Sequence, residues 1–227
     1  MTQYVQHFLM KRRLCCCLLF FMMACHSQKE KAIDPDIARK DSGIEYKNAA
    51  IAFVQINNAQ QFVQSGDLIL RTGRDYTSEV MRNLSRHDKT YSHCGIASIE
   101  NDSVFVYHAI GGEWNPNQKL RRDLFVLFCN PYENRGFGIY RYSFNNEQKK
   151  EMLQNAHKFY KAETMFDMQF NLATDDRMYC SEFVYKAIKP TLVLKTTTIN
   201  HITFVAIDNL FPDAYCNEIK RVRFQGN

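Results

Sequence analysis

Apolar residues fall into short blocks whose spacing changes several times along the chain. Residues 48–64 carry Ala, Ile, Phe and Val at mixed spacing and predict a helix, which Ser65-Gly66 punctuates. Asp67-Leu68-Ile69-Leu70-Arg71 then predicts a short strand. In residues 75–86 the side chains of Tyr76, Val80, Met81 and Leu84 form one stripe at helical spacing. Two strands follow at residues 94–99 and 104–110, joined through Glu100-Asn101-Asp102-Ser103. Beyond Gly111-Gly112, the apolar runs 124–128 and 137–142 predict two further strands. Residues 146–160 predict an amphipathic helix with Met152, Leu153, Ala156 and Phe159 facing inward. Residues 179–188 predict another, stopped by Pro190. Strands and helices are partly segregated, so the expected class is α+β rather than a doubly wound sheet.

Length and composition fit one sizeable domain. The chain has 227 residues, 45% hydrophobic and 23% charged, which is ordinary globular usage and fits a single core. The amino terminus departs from this pattern. Lys11, Arg12 and Arg13 precede an uncharged run to Ala24, as in a secretory signal. That run is shorter than the roughly 20 apolar residues a bilayer span needs. Met22-Met23-Ala24-Cys25 resembles a bacterial lipoprotein cleavage box, which implies cutting before Cys25 and lipidation of its thiol. Ordinary secretion and an uncleaved anchor are the alternatives. The expected organisation is a leader at 1–24, a polar tether at 25–45 and one domain at 46–227. Localisation is expected to be the cell envelope, with the membrane reached through the lipid anchor. Removal of 1–24 takes three basic and no acidic residues and lowers the net charge from +5 to +2. So mild a charge does not argue for a nucleic-acid partner.

Cys15, Cys16 and Cys17 lie in the leader and Cys25 at its end, leaving Cys94, Cys129, Cys180 and Cys216 in the body. Four cysteines in an exported chain allow three pairings into two disulfides. Their wide spacing does not suit a zinc ribbon, and a domain of this size folds without disulfides, so a thiol is free for chemistry.

Cys180 opens the predicted helix Cys180-Ser181-Glu182-Phe183-Val184-Tyr185. A thiol at a helix amino terminus feels the positive end of the dipole and unpaired N–H groups, both of which favour the thiolate. A buried structural cysteine is the plain alternative. His93, in Ser92-His93-Cys94-Gly95-Ile96, is a candidate base, because imidazole titrates near working pH; a satisfied histidine with no role is again the alternative. Strand alternation puts His93 and Gly95 on one face and Cys94 on the other, so Cys94 reads as core. A turn centred on Asn101-Asp102 sets His108 opposite Gly95 and diagonal to His93, where glycine leaves the two imidazoles unseparated. A three-residue loop would move His108 to the other face.

Four blocks carry a resemblance: Ser65-Gly66-Asp67-Leu68-Ile69, Ser92-His93-Cys94-Gly95-Ile96, Val106-Tyr107-His108-Ala109 and Tyr179-Cys180-Ser181-Glu182-Phe183. In this order they resemble the circularly permuted NlpC-type papain-like hydrolases of the YiiX/YaeF branch, in which the histidine strand precedes the cysteine helix. The resemblance covers about residues 60–190. It implies a permuted papain-like fold, with an antiparallel sheet packed against helices that include the nucleophile's. It also implies Cys180 as nucleophile, His93 as base and His108 orienting His93. A His at the third position resembles the lecithin:retinol acyltransferase branch, which acts on acyl lipids. Glu100 and Glu113 are spare candidates for that third role. Asp67 and Tyr179 flank these blocks and are weak candidates for shaping the cleft. Met165-Phe166-Asp167 resembles the family's aromatic-Asp step but reads equally as a turn.

The expected activity is a cysteine amidase or peptidase acting on an envelope peptide or an N-acyl amino acid, with no cofactor and no metal. A lipid acyl hydrolase or acyltransferase and a non-catalytic envelope binding protein are the rival readings. A zinc hydrolase using His93, His108 and Cys180 stands behind them, since it lacks a carboxylate base and short-range ligand spacing.

Overall fold

Alternation of apolar side chains on successive strands builds a sheet that is covered on both faces. The structure is a computed structural model that describes residues 46–113 and 115–225. The expected leader, the tether and Cys25 lie outside the described residues. Helix α1 (Tyr46–Gln60) leads into β1 (Leu68–Gly73), and α2 (Tyr76–Asn83) precedes the hairpin of β2 (His93–Glu100) and β3 (Ser103–His108). Next come β4 (Arg121–Leu124), the short α3 (Phe125–Phe128), β5 (Asn134–Tyr142), α4 (Asn146–Lys161) and α5 (Cys180–Ile188). A small hairpin of β6 (Thr197–Ile199) and β7 (Ile202–Phe204), a 3-10 turn at Ile207–Leu210 and β8 (Cys216–Arg223) close the chain. The large sheet has the order β4-β3-β2-β1-β5-β8, with every neighbour antiparallel. The fold is therefore α+β with an antiparallel sheet against helices.

One face carries Leu68, Leu70, Cys94, Ile96, Tyr107 and Tyr140, packed with Met152 and Ala156 of α4 and Phe183 and Val184 of α5. The other carries Ile69, Ala97, Val106 and Ile139, packed with Ala52 and Ile56 of α1 and Phe125 and Phe128 of α3. Helix α4 starts on a capping box: Asn145 accepts from Gln148 N–H, and Gln148 reaches back to Asn145 N–H, both at 2.9 Å, so two orphan donors are satisfied.

Two elements differ from the sequence expectation. The run 124–128 is not a strand, because β4 ends at Leu124 and residues Phe125–Phe128 turn helical. Helical spacing lets Phe125 and Phe128 both reach the core while Leu127 stays 57% exposed. A continuous apolar run carries no period that separates the two choices. The helix of the 75–86 run is shorter than expected, Tyr76–Asn83, with Tyr76 and Val80 exposed and Leu84, just past its end, packed against the core.

Candidate active site

The β2–β3 hairpin is fixed by its turn. Asn101 and Asp102 both take left-handed backbone angles, φ 47° and 61°, as a two-residue hairpin turn requires. The resulting register pairs Ile96 with Tyr107, so the next step back sets Gly95 opposite His108, as expected for that turn. A Cβ on Gly95 would lie 2.5 Å from Val106 Cγ1, 2.6 Å from the Tyr107 carbonyl oxygen and 3.0 Å from His108 Cβ. Glycine is thus the residue that lets the histidines meet. His93 Nε2 and His108 Nδ1 are 2.9 Å apart, their rings edge-on at 86°, and both pack on Phe128 of α3.

A third member was not among the sequence candidates. His108 Nε2 lies 2.9 Å from Asp123 Oδ2 on β4, and Arg121 holds the same carboxylate at 2.8 Å. Burial opposes ionisation of Asp123, but the His108 and Arg121 contacts outweigh it and keep the carboxyl below its usual range. Burial pushes His108 down to about 4 against the pull of Asp123. Burial, then the charge of Arg71, holds His93 well below the ordinary imidazole value. Both rings are neutral at pH 7, and the carboxylate can only accept. His108 therefore carries its proton on Nε2 and accepts at Nδ1, and His93 donates from Nε2. The lone pair of His93 Nδ1 is left as the basic site.

Glu100 and Glu113 do not enter this chain. Glu100 accepts from the Tyr107 hydroxyl at 2.8 Å and from Arg122 Nε at 3.0 Å, and Glu113 is exposed. The polar stretch 121–123 gave no strand signal, which is why Asp123 was missed.

Cys180 begins α5, as expected. Glu182 Oε2 accepts the Tyr179 N–H at 3.2 Å, closing the first turn. Both neighbours of the cysteine are tied to one residue: Val205 N–H donates to the Tyr179 hydroxyl at 2.8 Å, and the Ser181 hydroxyl donates to Val205 O at 2.7 Å. Tyr179 therefore packs as a strut, its ring 4.7 Å from that of Phe170. Asp67 is likewise committed, accepting from Arg141 at 2.7 and 2.8 Å and from Gln64 N–H at 2.8 Å. Asp167 accepts from Gln169 and Asn171 N–H groups, a turn arrangement.

All four body cysteines are free and buried. Cys94 does lie in the core, yet it also meets the nucleophile candidate. A hydrogen bond from its thiol is the leading reason that Cys180 falls below the ordinary thiol value; burial opposes this, and the N–H groups of Cys94 and Ser181 add to it. Burial and the same contact push Cys94 well up. The Cys180 sulfur thus sits against the peptide that joins His93 to Cys94. No hydrogen bond joins it to the His93 ring among the described residues. Both histidines share the sheet face of Phe128, whereas α5 packs on the opposite face.

Comparisons with known proteins identify the fold and the family. The YiiX protein of Escherichia coli strain K12 is 26% identical over 134 residues, 58% of this chain and 60% of that protein; the chain thus spans about 60% of that curated relative's length. The crystal structure of the metalloprotein YiiX from Escherichia coli O157:H7 superposes with a TM-score of 0.58 at 20% identity, covering 70% of this chain and 98% of the other. No group of three or more His, Cys, Asp or Glu able to hold a metal ion occurs among the described residues. His93 and His108 turn ring nitrogens toward each other, which does not offer a convergent donor set. The model of the permuted papain-like amidase enzymes matches residues 62–214. The chain belongs to that YaeF/YiiX, C92 family of permuted papain-like amidases.

Proposed function

We propose that the chain is a cysteine amidase whose nucleophile is Cys180 and whose base is His93, acting on an amide of a cell-envelope peptide or an N-acyl amino acid. The observation that carries this reading is the His93–His108–Asp123 chain at the start of β2, where the helix-start Cys180 meets Cys94, the next residue of the strand. His93 Nδ1 takes the Cys180 proton as the thiolate attacks the carbonyl carbon. N–H groups of the first turn of α5 hold the developing oxyanion. His93 then protonates the leaving amine, and water resolves the thioester. Because the Cys180 and His93 side chains lie on opposite faces of the sheet and share no hydrogen bond among the described residues, the first proton transfer requires the His93 ring, at the start of β2, to turn toward the sulfur when substrate binds.

The leader-like segment 1–24 and the box ending at Cys25 support an envelope location with a lipid anchor. Palmitate labelling of the full chain and of Cys25→Ser checks it.

For catalysis, Cys180→Ala is expected to abolish hydrolysis of N-acyl amino acids and cell-wall peptides while leaving the circular dichroism spectrum unchanged. Retained turnover in that variant would remove Cys180 from the mechanism.

A further inference from the structure

Arg71 on β1 is a buried cation that the proposed proton path does not include. Sheet pairing makes it the cross-strand neighbour of His93, on the face that also carries Ile69 two residues earlier. Its backbone holds the entry to β2, where the Ser92 N–H donates to Arg71 O at 2.9 Å. Its side chain reaches the end of α3: Nη1 donates to Phe128 O at 3.0 Å, and the guanidinium lies over the Phe128 ring, 4.8 Å from its centroid. That ring is the surface on which both imidazoles pack, with centroids 5.6 Å from His93 and 5.0 Å from His108. Asn134 Nδ2 shares the Phe128 carbonyl at 3.3 Å, but a planar guanidinium makes the carbonyl and the ring contact at once. One flat cation thus holds the residue that holds the histidine pair.

Charge adds to position. Around the imidazoles stand Arg71 on β1 and Arg121 and Asp123 on β4, while Cys129 after α3 and Glu133 before β5 act on the arginine. Cys94 and Cys180 belong to the other face of the sheet. Arg121 and Asp123 pair at 2.8 Å, so their charges offset each other. Glu133 stands 3.6 Å from Arg71 on a side chain 65% exposed, where water screens it. Arg71 is left as the uncompensated charge beside the two rings. Burial is the leading reason that His93 and His108 are held down, and Arg71 is the first charge that acts with it on each. We infer that Arg71 is a positioning residue for the base: through Phe128 it fixes where His93 and His108 rest, and it sets a permanent positive charge beside them. That charge favours the neutral ring, the form that accepts a proton. The inference rests on the amidase reading, in which the His93 ring turns toward Cys180 from the place that Phe128 sets.

Acylation by p-nitrophenyl acetate tests this without knowledge of the natural acyl group. The Cys180 sulfur joins the acetyl carbon, p-nitrophenolate leaves, and the thiol proton goes to His93. The burst rate of the full chain is followed across pH, with Cys180→Ala as background. Two substitutions separate charge from shape: Arg71→Gln keeps a donor for Phe128 O without the charge, and Arg71→Lys keeps the charge without the planar fork. In Arg71→Gln the acid limb of the profile is expected to move upward in pH. In Arg71→Lys the limb is expected to stay while the plateau falls about tenfold or more, as ångström-scale displacement of a reacting group costs. Phe128→Leu, with Arg71 in place, is expected to lower the plateau likewise, and it serves where an arginine variant does not fold. An unmoved limb in Arg71→Gln, or the parent's plateau in Arg71→Lys or Phe128→Leu, overturns the inference; if His93→Gln is still slow, the amidase reading stands. If His93→Gln acylates at the parent's rate, His93 is not the base, and the amidase reading fails with the inference.

Discussion

Asp123 Oδ2 lies 2.9 Å from His108 Nε2, and this contact sets the tautomer of both histidines. An ionised carboxylate only accepts, so the protons line up away from His93 Nδ1. The third residue's partner thus determines what the base can do, although the two are never in contact.

Asp123→Asn would reverse that order. The amide can donate to His108 Nε2, pushing its proton to Nδ1 and turning His93 round in its hydrogen bonding. We expect kcat for amide hydrolysis to fall by roughly 10²–10⁴, with Tm little changed. An Asn variant within a few-fold of the parent would show that His93 needs no such orientation.

The pH dependence of stability follows from His108. Its folded value of about 4 lies below the unfolded value of about 6.5. The unfolded chain therefore takes up a proton first, and the stability present above pH about 6.5 is lost as pH falls to about 4. The loss approaches about 3 kcal/mol for a side chain this buried. Glu182 works in the opposite sense, since burial raises it to about 7 and its contribution is lost as pH rises from about 4.3. The difference between parent and His108→Gln isolates the histidine. Urea midpoints at pH 7.5 and 4.5 should show the parent losing more stability than the variant. Equal losses would mean that His108 titrates normally in the fold.

Cys94 is expected to set the reactivity of the nucleophile. Its thiol supplies the leading stabilisation of the Cys180 thiolate, so Cys94→Ala should move the pH midpoint of Cys180 alkylation upward. Cys94→Ser, which keeps a donor, should restore part of the shift. An unchanged midpoint in the alanine variant would leave the backbone N–H groups and the helix start as the whole cause.

Much of the site was legible because local rules agreed. Asn101 and Asp102 accept left-handed angles, which gave a two-residue turn, the register and the meeting of His93 with His108. Asp123 was hidden because Arg121-Arg122-Asp123 is polar and the strand it occupies has only four residues. Cys94 was correctly placed on the face away from His93, but which face receives α5 is a tertiary matter that alternation leaves open. The edge strand β8, with Glu218, Lys220, Arg221 and Arg223, shows the charge that protects sheet edges, and that charge masks a strand signal. The sheet thus gained two strands, β4 and β8, that no period in the sequence marks.

The strut beneath Cys180 yields the last expectation. Val205 is buried, and its N–H and C=O are held by Tyr179 and Ser181, the two residues that flank the cysteine. Tyr179→Phe strands the Val205 N–H in the core, and Ser181→Ala strands its carbonyl; each should cost roughly 1–3 kcal/mol. For a domain of this size that is a Tm drop of roughly 2–4 °C per kcal/mol. Because one residue links the two contacts, the double variant should lose less than the sum. Thermal melts of the four proteins measure that coupling, and strict additivity would mean that each side of the helix start is anchored independently. Alkylation of Cys180 followed in the same set separates stability from positioning. A strut that only stabilises leaves the thiol's pH midpoint where it was, whereas one that aims the first turn shifts it upward as the N–H groups lose the sulfur.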